Sequence, residues 1–159
     1  MNVRRIAPEE AALWRRIRLE ALSTAPDAFS APLSDWQDRP IADFAAQVAA
    51  NPVFLAFDGS VPVGSISWMR DDEIAGRGWI YAVFVSPGAR GRGIGQALIA
   101  AVLTDADAAG MTELWLEVGG QNTPAISAYG RAGFVAFAGK VRPSQCGSKC
   151  EVSMRRALP

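Results

Sequence analysis

Three glycines at alternate positions, Gly91, Gly93 and Gly95, lie where an apolar run that ends at Val85 leads into a run of helical periodicity that begins at Ile94. The apolar run predicts a strand, and the second run predicts a helix. Because glycines carry no side chain, backbone N–H groups and the positive end of the helix dipole can face one point in the turn. Such a turn between a strand and a helix is typical of a phosphate-binding site.

Two common nucleotide-binding motifs do not fit this turn. A Walker A loop has a Lys and a Ser or Thr directly after its glycines, and no Lys follows here. A dinucleotide fingerprint has the spacing G-x-G-x-x-G, whereas position 96 is Gln, and the preceding strands resemble hairpins rather than a βαβ unit. A turn without a ligand needs one or two glycines, so three glycines beside Arg90 and Arg92 favour a binding role.

The composition of the chain excludes several classes of function. Its 159 residues suit a single domain over residues 1–159, and 16 basic and 16 acidic side chains cancel, so we expect neither nucleic acid nor a membrane as a partner. Without a signal-peptide core or an apolar stretch of ~18 residues, the sequence predicts a cytoplasmic protein. The chain has no His, which excludes His-dependent hydrolase triads. Cys146 and Cys150 alone make a poor zinc site, so we expect no metal.

The order of the predicted elements indicates a mixed sheet with helices on both faces. A short first strand and two helices, separated by an irregular loop at residues 23–40, precede three antiparallel strands. The helix after the glycine turn should cross over to a strand that starts at Thr112 and lies parallel to the strand of residues 79–85. A last helix with Thr123 as its N-cap and a closing pair of strands follow.

Two linked segments carry a resemblance to a known family. The first is Arg-Gly-Arg-Gly-Ile-Gly at residues 90–95, preceded by Phe-Val-Ser-Pro at residues 84–87. The second is Asn-Thr-Pro-Ala-Ile-Ser-Ala-Tyr at residues 122–129, followed by Gly-Phe. They resemble the Q/R-x-x-G-x-G/A and N-x-x-A-x-x-x-Y…G-F motifs of the GNAT superfamily of acyl-CoA-dependent N-acyltransferases. Residues 18–22 and 26–29 are similar to many small bacterial members, so the resemblance covers essentially the whole chain.

This resemblance implies an α+β (mixed α/β) GNAT fold, with a twisted, mostly antiparallel mixed sheet of about seven strands and about four helices on its two faces. It also implies acetyl-CoA as the acyl donor, without a metal. The diphosphate would lie on the amides of the glycine turn, and the pantetheine arm would pair with the strand after Val83, where the parallel strands separate. The residues so assigned to the cofactor are Val83, Phe84, Val85, Arg90, Gly91, Arg92, Gly93, Ile94, Gly95, Gln96, Asn122 and Ser127.

The implied reaction is attack of a primary amine on the acetyl thioester, followed by loss of the CoA thiolate. Tyr129 matches the family's general acid, with a core ring as the alternative interpretation. It would protonate or only hydrogen-bond the thiolate, because a tyrosine pKa of ~10 exceeds a thiol pKa of ~8.5. Many relatives carry an acidic residue in the strand before Val-x-Pro, and residues 79–85 have none. Glu117 on the next strand is then the candidate base, acting through water, unless it is merely a solvated strand end.

The motifs do not specify the acceptor. Residues 23–40 and 138–149 should frame its entrance, and a small-molecule amine or a protein N-terminal amine fits the charge balance better than a polycation. The competing interpretation is a non-catalytic acyl-CoA-binding or sensing module of the same fold. Dimers are common among similar proteins, so a homodimer is a further option. Four aromatic side chains, which are more often core, are candidates for an acceptor slot: Phe29, Trp36, Trp68 and Tyr81.

Overall fold

The computed structural model describes residues 2–26, 32–138 and 152–159. Seven strands in these ranges form one sheet. They are β1 (Asn2–Arg5), β2 (Val53–Asp58), β3 (Val61–Arg70), β4 (Arg77–Val85), β5 (Glu113–Val118), β6 (Val135–Phe137) and β7 (Val152–Ala157). Their order in the sheet is β1-β2-β3-β4-β5-β7-β6. Neighbours are antiparallel, except that β4 and β5 are parallel.

Five α-helices in the described part of the chain surround the sheet. They are α1 (Ala11–Thr24), α2 (Leu33–Trp36), α3 (Ile41–Ala50), α4 (Ile94–Ala108) and α5 (Thr123–Arg131). Acidic residues and a proline in a 3-10 turn, Pro8–Glu10, lead into α1. None of the helices in the described ranges has the length and apolar content to cross a membrane.

Two apolar clusters pack on the two faces of the sheet. Side chains of a strand alternate between its faces, and β2 shows this directly. Phe54 and Ala56 contact the cluster that includes residues of α4, whereas Val53 and Leu55 contact the cluster that includes α1 and α3. Each fully buried aliphatic or aromatic side chain contributes roughly 1.5–3 kcal/mol to stability. The sheet is therefore held between α1 and α3 on one face and α4 on the other.

The predicted type and order of the elements are confirmed, including the parallel pair β4 and β5. Two details are wrong. Residues 33–36, expected to be irregular, form α2, and Trp36 packs edge-on against Phe44 of α3 with ring centroids 5.3 Å apart. The N-cap of α5 is Asn122 rather than Thr123, because its Oδ1 accepts a hydrogen bond from the N–H of Ala125 at 3.3 Å.

Close packing at Gly78 in β4 gives a test of the fold. A Cβ at this position would lie 2.7 Å from Cδ2 of Leu114 and 3.0 Å from Cε3 of Trp68. Because both neighbours are buried core side chains, Gly78→Ala should lower the free energy of unfolding by roughly 1–3 kcal/mol.

The matched control is Gly130→Ala in α5, where a Cβ would meet no atom within 4 Å. Since Ala favours helix over Gly, this variant should raise the free energy of unfolding by about 1 kcal/mol. Urea unfolding measures both changes. Equal unfolding midpoints for the two variants would contradict the packing described for β4.

Candidate active site

The glycine turn begins directly after β4. A 3-10 turn, Pro87–Ala89, leads to Arg90 in an extended conformation, and α4 then starts with Gly93 as its N-cap. Gly91 and Gly93 have φ angles of 80° and 79°. This left-handed region carries a steric penalty for residues with a Cβ. The alternating glycines therefore allow two changes of chain direction within three residues.

Backbone N–H groups converge at the start of α4. Its first helical bond runs from the N–H of Ala97 to the carbonyl of Gly93 at 3.1 Å. The N–H groups of residues 94–96 precede this bond and have no helical partner. A Cβ on Gly91, Gly93 or Gly95 would meet no atom within 4 Å, so open space lies above the turn. The turn thus combines donors, the positive helix end and room for an anion such as a diphosphate.

Both arginines of the turn are tied to the protein. Nε of Arg90 donates to the carbonyl of Val85 at 3.0 Å. Arg92 donates from Nη2 to the carbonyl of Gly88 at 3.4 Å, and its Nη1 lies 3.5 Å from Oδ2 of Asp58. A guanidinium has five N–H donors, so each arginine keeps further donors beyond these contacts.

Two side-chain hydrogen bonds connect the segment around the turn to neighbouring helices, one before the glycines and one after them. Oγ of Ser86 donates to Oε2 of Glu20 on α1 at 2.9 Å. Nε2 of Gln96 donates to the carbonyl of Ala128 on α5, also at 2.9 Å. Sequence reasoning missed both bonds because the partners are 66 and 32 residues apart in the chain.

The two parallel strands separate beside the turn. Residues 77–79 of β4 pair with residues 113–115 of β5, and the pairing ends there although β4 continues to Val85. The separation was expected after Val83, and it begins at Ile80. Within the described ranges, backbone groups of β4 that face β5 beyond this point have no strand partner. An extended ligand can take the place of the missing strand.

A β-bulge lies at the separation. Residues 65–67 of β3 face residues 81–84 of β4, so β4 carries one extra residue. In this bulge Ala82 has a φ of 55°, and Oγ of Ser65 donates to its carbonyl at 2.8 Å. A residue with a Cβ in this region costs roughly 1–2 kcal/mol. Bulges redirect backbone groups, and this one turns them at the point where β5 leaves.

Tyr129 lies on α5, and its side chain is 8% exposed. Its ring packs edge-on against Phe134 with centroids 6.0 Å apart. Burial raises the pKa of the Tyr129 hydroxyl above its ordinary value. The hydroxyl makes no hydrogen bond in the part of the chain that the structure describes. At neutral pH the hydroxyl therefore keeps its proton, and it gives up this proton less readily than an ordinary tyrosine does.

Glu117 lies on β5, two residues beyond Trp115, at which the pairing with β4 ends. Its partner in the register is Ser153 on β7, and its side chain is half-buried. Residue 117 therefore lies on the part of β5 that is separated from β4. Asn122 exposes its side chain and uses Oδ1 to cap α5, which leaves its amide N–H₂ to donate. Ser127 is exposed on the same helix.

The aromatic candidates for the acceptor slot do not all lie together. Trp36 and Tyr81 both contact the cluster between the sheet and helices α1 and α3. Trp68 belongs to the cluster on the α4 side, where its Nε1 donates to Oδ2 of Asp105 at 2.8 Å. The sheet thus separates Trp68 from the other two, so Trp68 cannot line an acceptor slot together with them. Phe29 lies outside the described residues.

Trp68 instead borders a cavity of about 610 Å³, whose walls include Arg70 and Asp105. This cavity lies at the C-terminal end of α4. The helix has 15 residues, so it separates the cavity from the glycine turn by about 22 Å. Arg70 also donates to the carbonyl of Ala109 at 3.4 Å. Because of its distance from the glycine turn, the cavity is not part of the candidate active site.

Sequence reasoning missed an aromatic group on β4, β5 and β6. The rings of Trp79 and Trp115 have centroids 5.8 Å apart, and those of Trp115 and Phe137 are 5.0 Å apart. The guanidinium carbons of Arg77 and Arg155 lie 4.3 Å and 5.6 Å from the centroid of Trp115. Strand alternation would have placed Trp115 on the face shared with residues 113 and 117.

The described residues contain no group of three or more His, Cys, Asp or Glu side chains that could hold a metal.

Comparison with known proteins identifies the family. The family model described as Acetyltransferase (GNAT) family matches residues 14–134. A mycothiol acetyltransferase from Streptomyces scabiei is 34% identical over 141 residues, which cover 86% of this chain and 44% of that protein. A streptothricin acetyltransferase from Streptomyces lavendulae is 51% identical over 55 residues, which cover 35% of this chain and 29% of that protein. The chain spans less than half the length of the curated relatives described here.

Solved structures agree with the predicted fold. A GNAT-family acetyltransferase from Streptococcus pneumoniae superimposes with a TM-score of 0.82 at 19% identity, over 99% of both chains. A GNAT-superfamily phosphinothricin acetyltransferase from Sinorhizobium meliloti, solved in complex with AcCoA, has a TM-score of 0.77 at 18% identity, over 99% of this chain and 88% of that chain. The α+β fold class and the family resemblance predicted from the sequence are thus confirmed, and the chain belongs to the GNAT acetyltransferase family.

Proposed function

We propose that this chain transfers an acetyl group from acetyl-CoA to a primary amine by direct attack in a ternary complex. The glycine turn is the observation that carries the proposal. It offers the N–H groups of residues 94–96, the positive end of α4 and open space above three glycines. The diphosphate of CoA matches this site in charge and in its need for several donors.

The thioester would lie at the separation of β4 and β5. With the diphosphate on the turn, the pantetheine arm runs back along β4, past Val83 and towards the bulge at Ala82. Unpaired backbone N–H groups of this segment would hold the arm and, at the bulge, the oxyanion of the tetrahedral intermediate. One such donor is worth about 3 kcal/mol of transition-state stabilisation. The strained φ of Ala82 fits this interpretation, because strain of this kind concentrates at functional sites.

Tyr129 would donate a hydrogen bond to the leaving thiolate. Its burial keeps the hydroxyl protonated, and complete transfer of the proton to a thiolate whose conjugate acid has a pKa of ~8.5 is uphill. A charge-assisted hydrogen bond stabilises the departing sulfur without this transfer. Asn122, at the start of the same helix, would bind the pantetheine arm.

The amine must reach the thioester as a free base. An ammonium with a pKa of ~10.4 requires roughly 4.6 kcal/mol to lose its proton at pH 7. The strand of residues 79–85 contains no carboxylate, so Glu117 on β5 is the proposed base, acting through water. Its position beyond the last β4–β5 pair supports this role.

The acceptor is a small-molecule amine or a protein N-terminal amine, with Trp36 and Tyr81 as proposed lining residues. The names of the two relatives refer to different compounds, mycothiol and streptothricin. They therefore support acetyl transfer in general and do not select one acceptor for this chain.

The proposed function is tested by release of free thiol from acetyl-CoA across a panel of amines that includes amino acids, antibiotics and short peptides. We expect turnover with at least one acceptor that has a free amine and none with its N-acetylated form. A thermal shift with CoA, without turnover on any amine, would instead support the non-catalytic acyl-CoA-binding module.

A variant of the turn tests the site of the donor. Gly93→Ala places a Cβ on a residue with a φ of 79°, which costs roughly 1–2 kcal/mol and shifts the amides that follow. We expect the affinity for acetyl-CoA to fall by about tenfold or more, since roughly 1.4 kcal/mol corresponds to a factor of ten. Isothermal titration measures this affinity.

The matched control is Gly110→Ala, at the other end of α4. Gly110 has a φ of 87°, and a Cβ there would also meet no atom within 4 Å. Gly110→Ala should lose a similar amount of stability. Its affinity for acetyl-CoA should equal that of the wild type. Equal losses of affinity in the two variants would refute the assignment of the turn.

Tyr129→Phe tests the role of the hydroxyl. We expect kcat to fall by about 10- to 100-fold, as for loss of one charge-assisted hydrogen bond of roughly 1.5–3 kcal/mol, with little change in acetyl-CoA affinity. Because burial raises the pKa of Tyr129, the hydroxyl stays protonated as the pH rises to 10. The wild-type kcat profile should therefore show no fall from this group below pH ~10. Undiminished kcat in the variant would rule the role out.

A further inference from the structure

Gln96 connects the two parts of the candidate site. It is the third residue of α4, and its backbone N–H belongs to the donors of the glycine turn. Its side chain is directed to α5, where Nε2 donates to the carbonyl of Ala128 at 2.9 Å. Ala128 directly precedes Tyr129. One residue thus contacts the diphosphate site through its main chain and the helix of Tyr129 through its side chain.

Few other side chains anchor α5. Of its nine residues, Tyr129 alone is buried, and Ala125 and Ile126 pack partly buried against the core. Most remaining positions of the helix are exposed. A single polar bond therefore has a large share in fixing how α5 lies against the start of α4.

The bond can be removed without breaking α5. The carbonyl of Ala128 also accepts a hydrogen bond from the N–H of Ala132 at 3.2 Å. A carbonyl oxygen has two lone pairs, so the helical bond remains when Gln96 no longer donates. Loss of the Gln96 donor should change the placement of α5 rather than its secondary structure.

We propose that Gln96 is a positioning residue, whose side chain holds α5 at a fixed distance from the glycine turn so that the Tyr129 hydroxyl meets the sulfur of a CoA bound on that turn. This inference rests on the proposed role of Tyr129. It adds a link between the site that binds the diphosphate and the group that stabilises the thiolate.

Gln96→Met is the variant of choice. Methionine has a similar length, carries no charge near the diphosphate, lacks the donor and favours helix. Gln96→Leu is the second variant if the first is poorly folded, and circular dichroism verifies the fold of both. Gln121→Met is the matched control, because Gln121 is an exposed glutamine one residue before Asn122.

The measurement is the pKa of the CoA thiol bound at saturation, followed by the ultraviolet absorbance of the thiolate, and it requires no knowledge of the acceptor. Loss of a hydrogen bond to the thiolate should raise this pKa by about one unit in Tyr129→Phe. We expect Gln96→Met to raise it by at least half as much, and Gln121→Met to leave it unchanged. The double variant Gln96→Met with Tyr129→Phe should show no further rise beyond Tyr129→Phe alone, since residues that act together are not additive.

The outcomes separate this inference from the proposed function. A wild-type thiol pKa in Gln96→Met, together with a raised pKa in Tyr129→Phe, overturns the role of Gln96 alone. An unchanged pKa in Tyr129→Phe overturns the role of Tyr129 and this inference with it. An additive rise in the double variant shows that Gln96 acts by another route and also overturns the proposal.

Discussion

The separation of the two parallel strands is the constraint on which the rest of this structure depends. Parallel neighbours require a crossover, and α4 supplies it between β4 and β5. The start of α4 must therefore lie at the carboxyl end of β4, next to the gap that opens after the pair formed by Trp79 and Trp115. The glycine turn and the unpaired edge of β4 are adjacent because of this connection. A ligand with an anionic group and an extended arm can occupy both at once.

The gap exposes backbone polar groups, which the surrounding structure has to hold in place. The bulge at Ala82 carries a strained φ, and Ser65 fixes its carbonyl from the neighbouring strand. Buried clusters on both faces of the sheet keep β3 and β4 in register around it. Strain of roughly 1–2 kcal/mol is thus supported by the packing of these two clusters. The packed core and the gap in the sheet are therefore connected, because the core holds the strands that border the gap.

Local patterns in the sequence predicted the glycine turn, the order of the elements and the parallel pair, because each depends on neighbouring residues or on a general rule of connection. Contacts between distant segments could not be predicted this way, as the bonds of Ser86 with Glu20 and of Gln96 with Ala128 show. The bulge adds a second obstacle, since one extra residue reverses the alternation of faces in β4. Tyr81 and Phe84 consequently contact the same cluster although three positions separate them. Aromatic residues such as Trp68 cannot be assigned to a face without knowing which strands pair.

The burial of Tyr129 also bears on how protons would move in the proposed reaction. A hydroxyl whose pKa is raised keeps its proton, so the thiolate would leave as an anion and take a proton from solvent later. The proton of the ammonium would then leave by a separate path, through water towards the proposed base Glu117 on β5. On this scheme the two proton transfers need no common donor and acceptor. A strand without a carboxylate, residues 79–85, is then compatible with acetyl transfer, because the protein has to orient the thiolate and the amine rather than pass one proton between them.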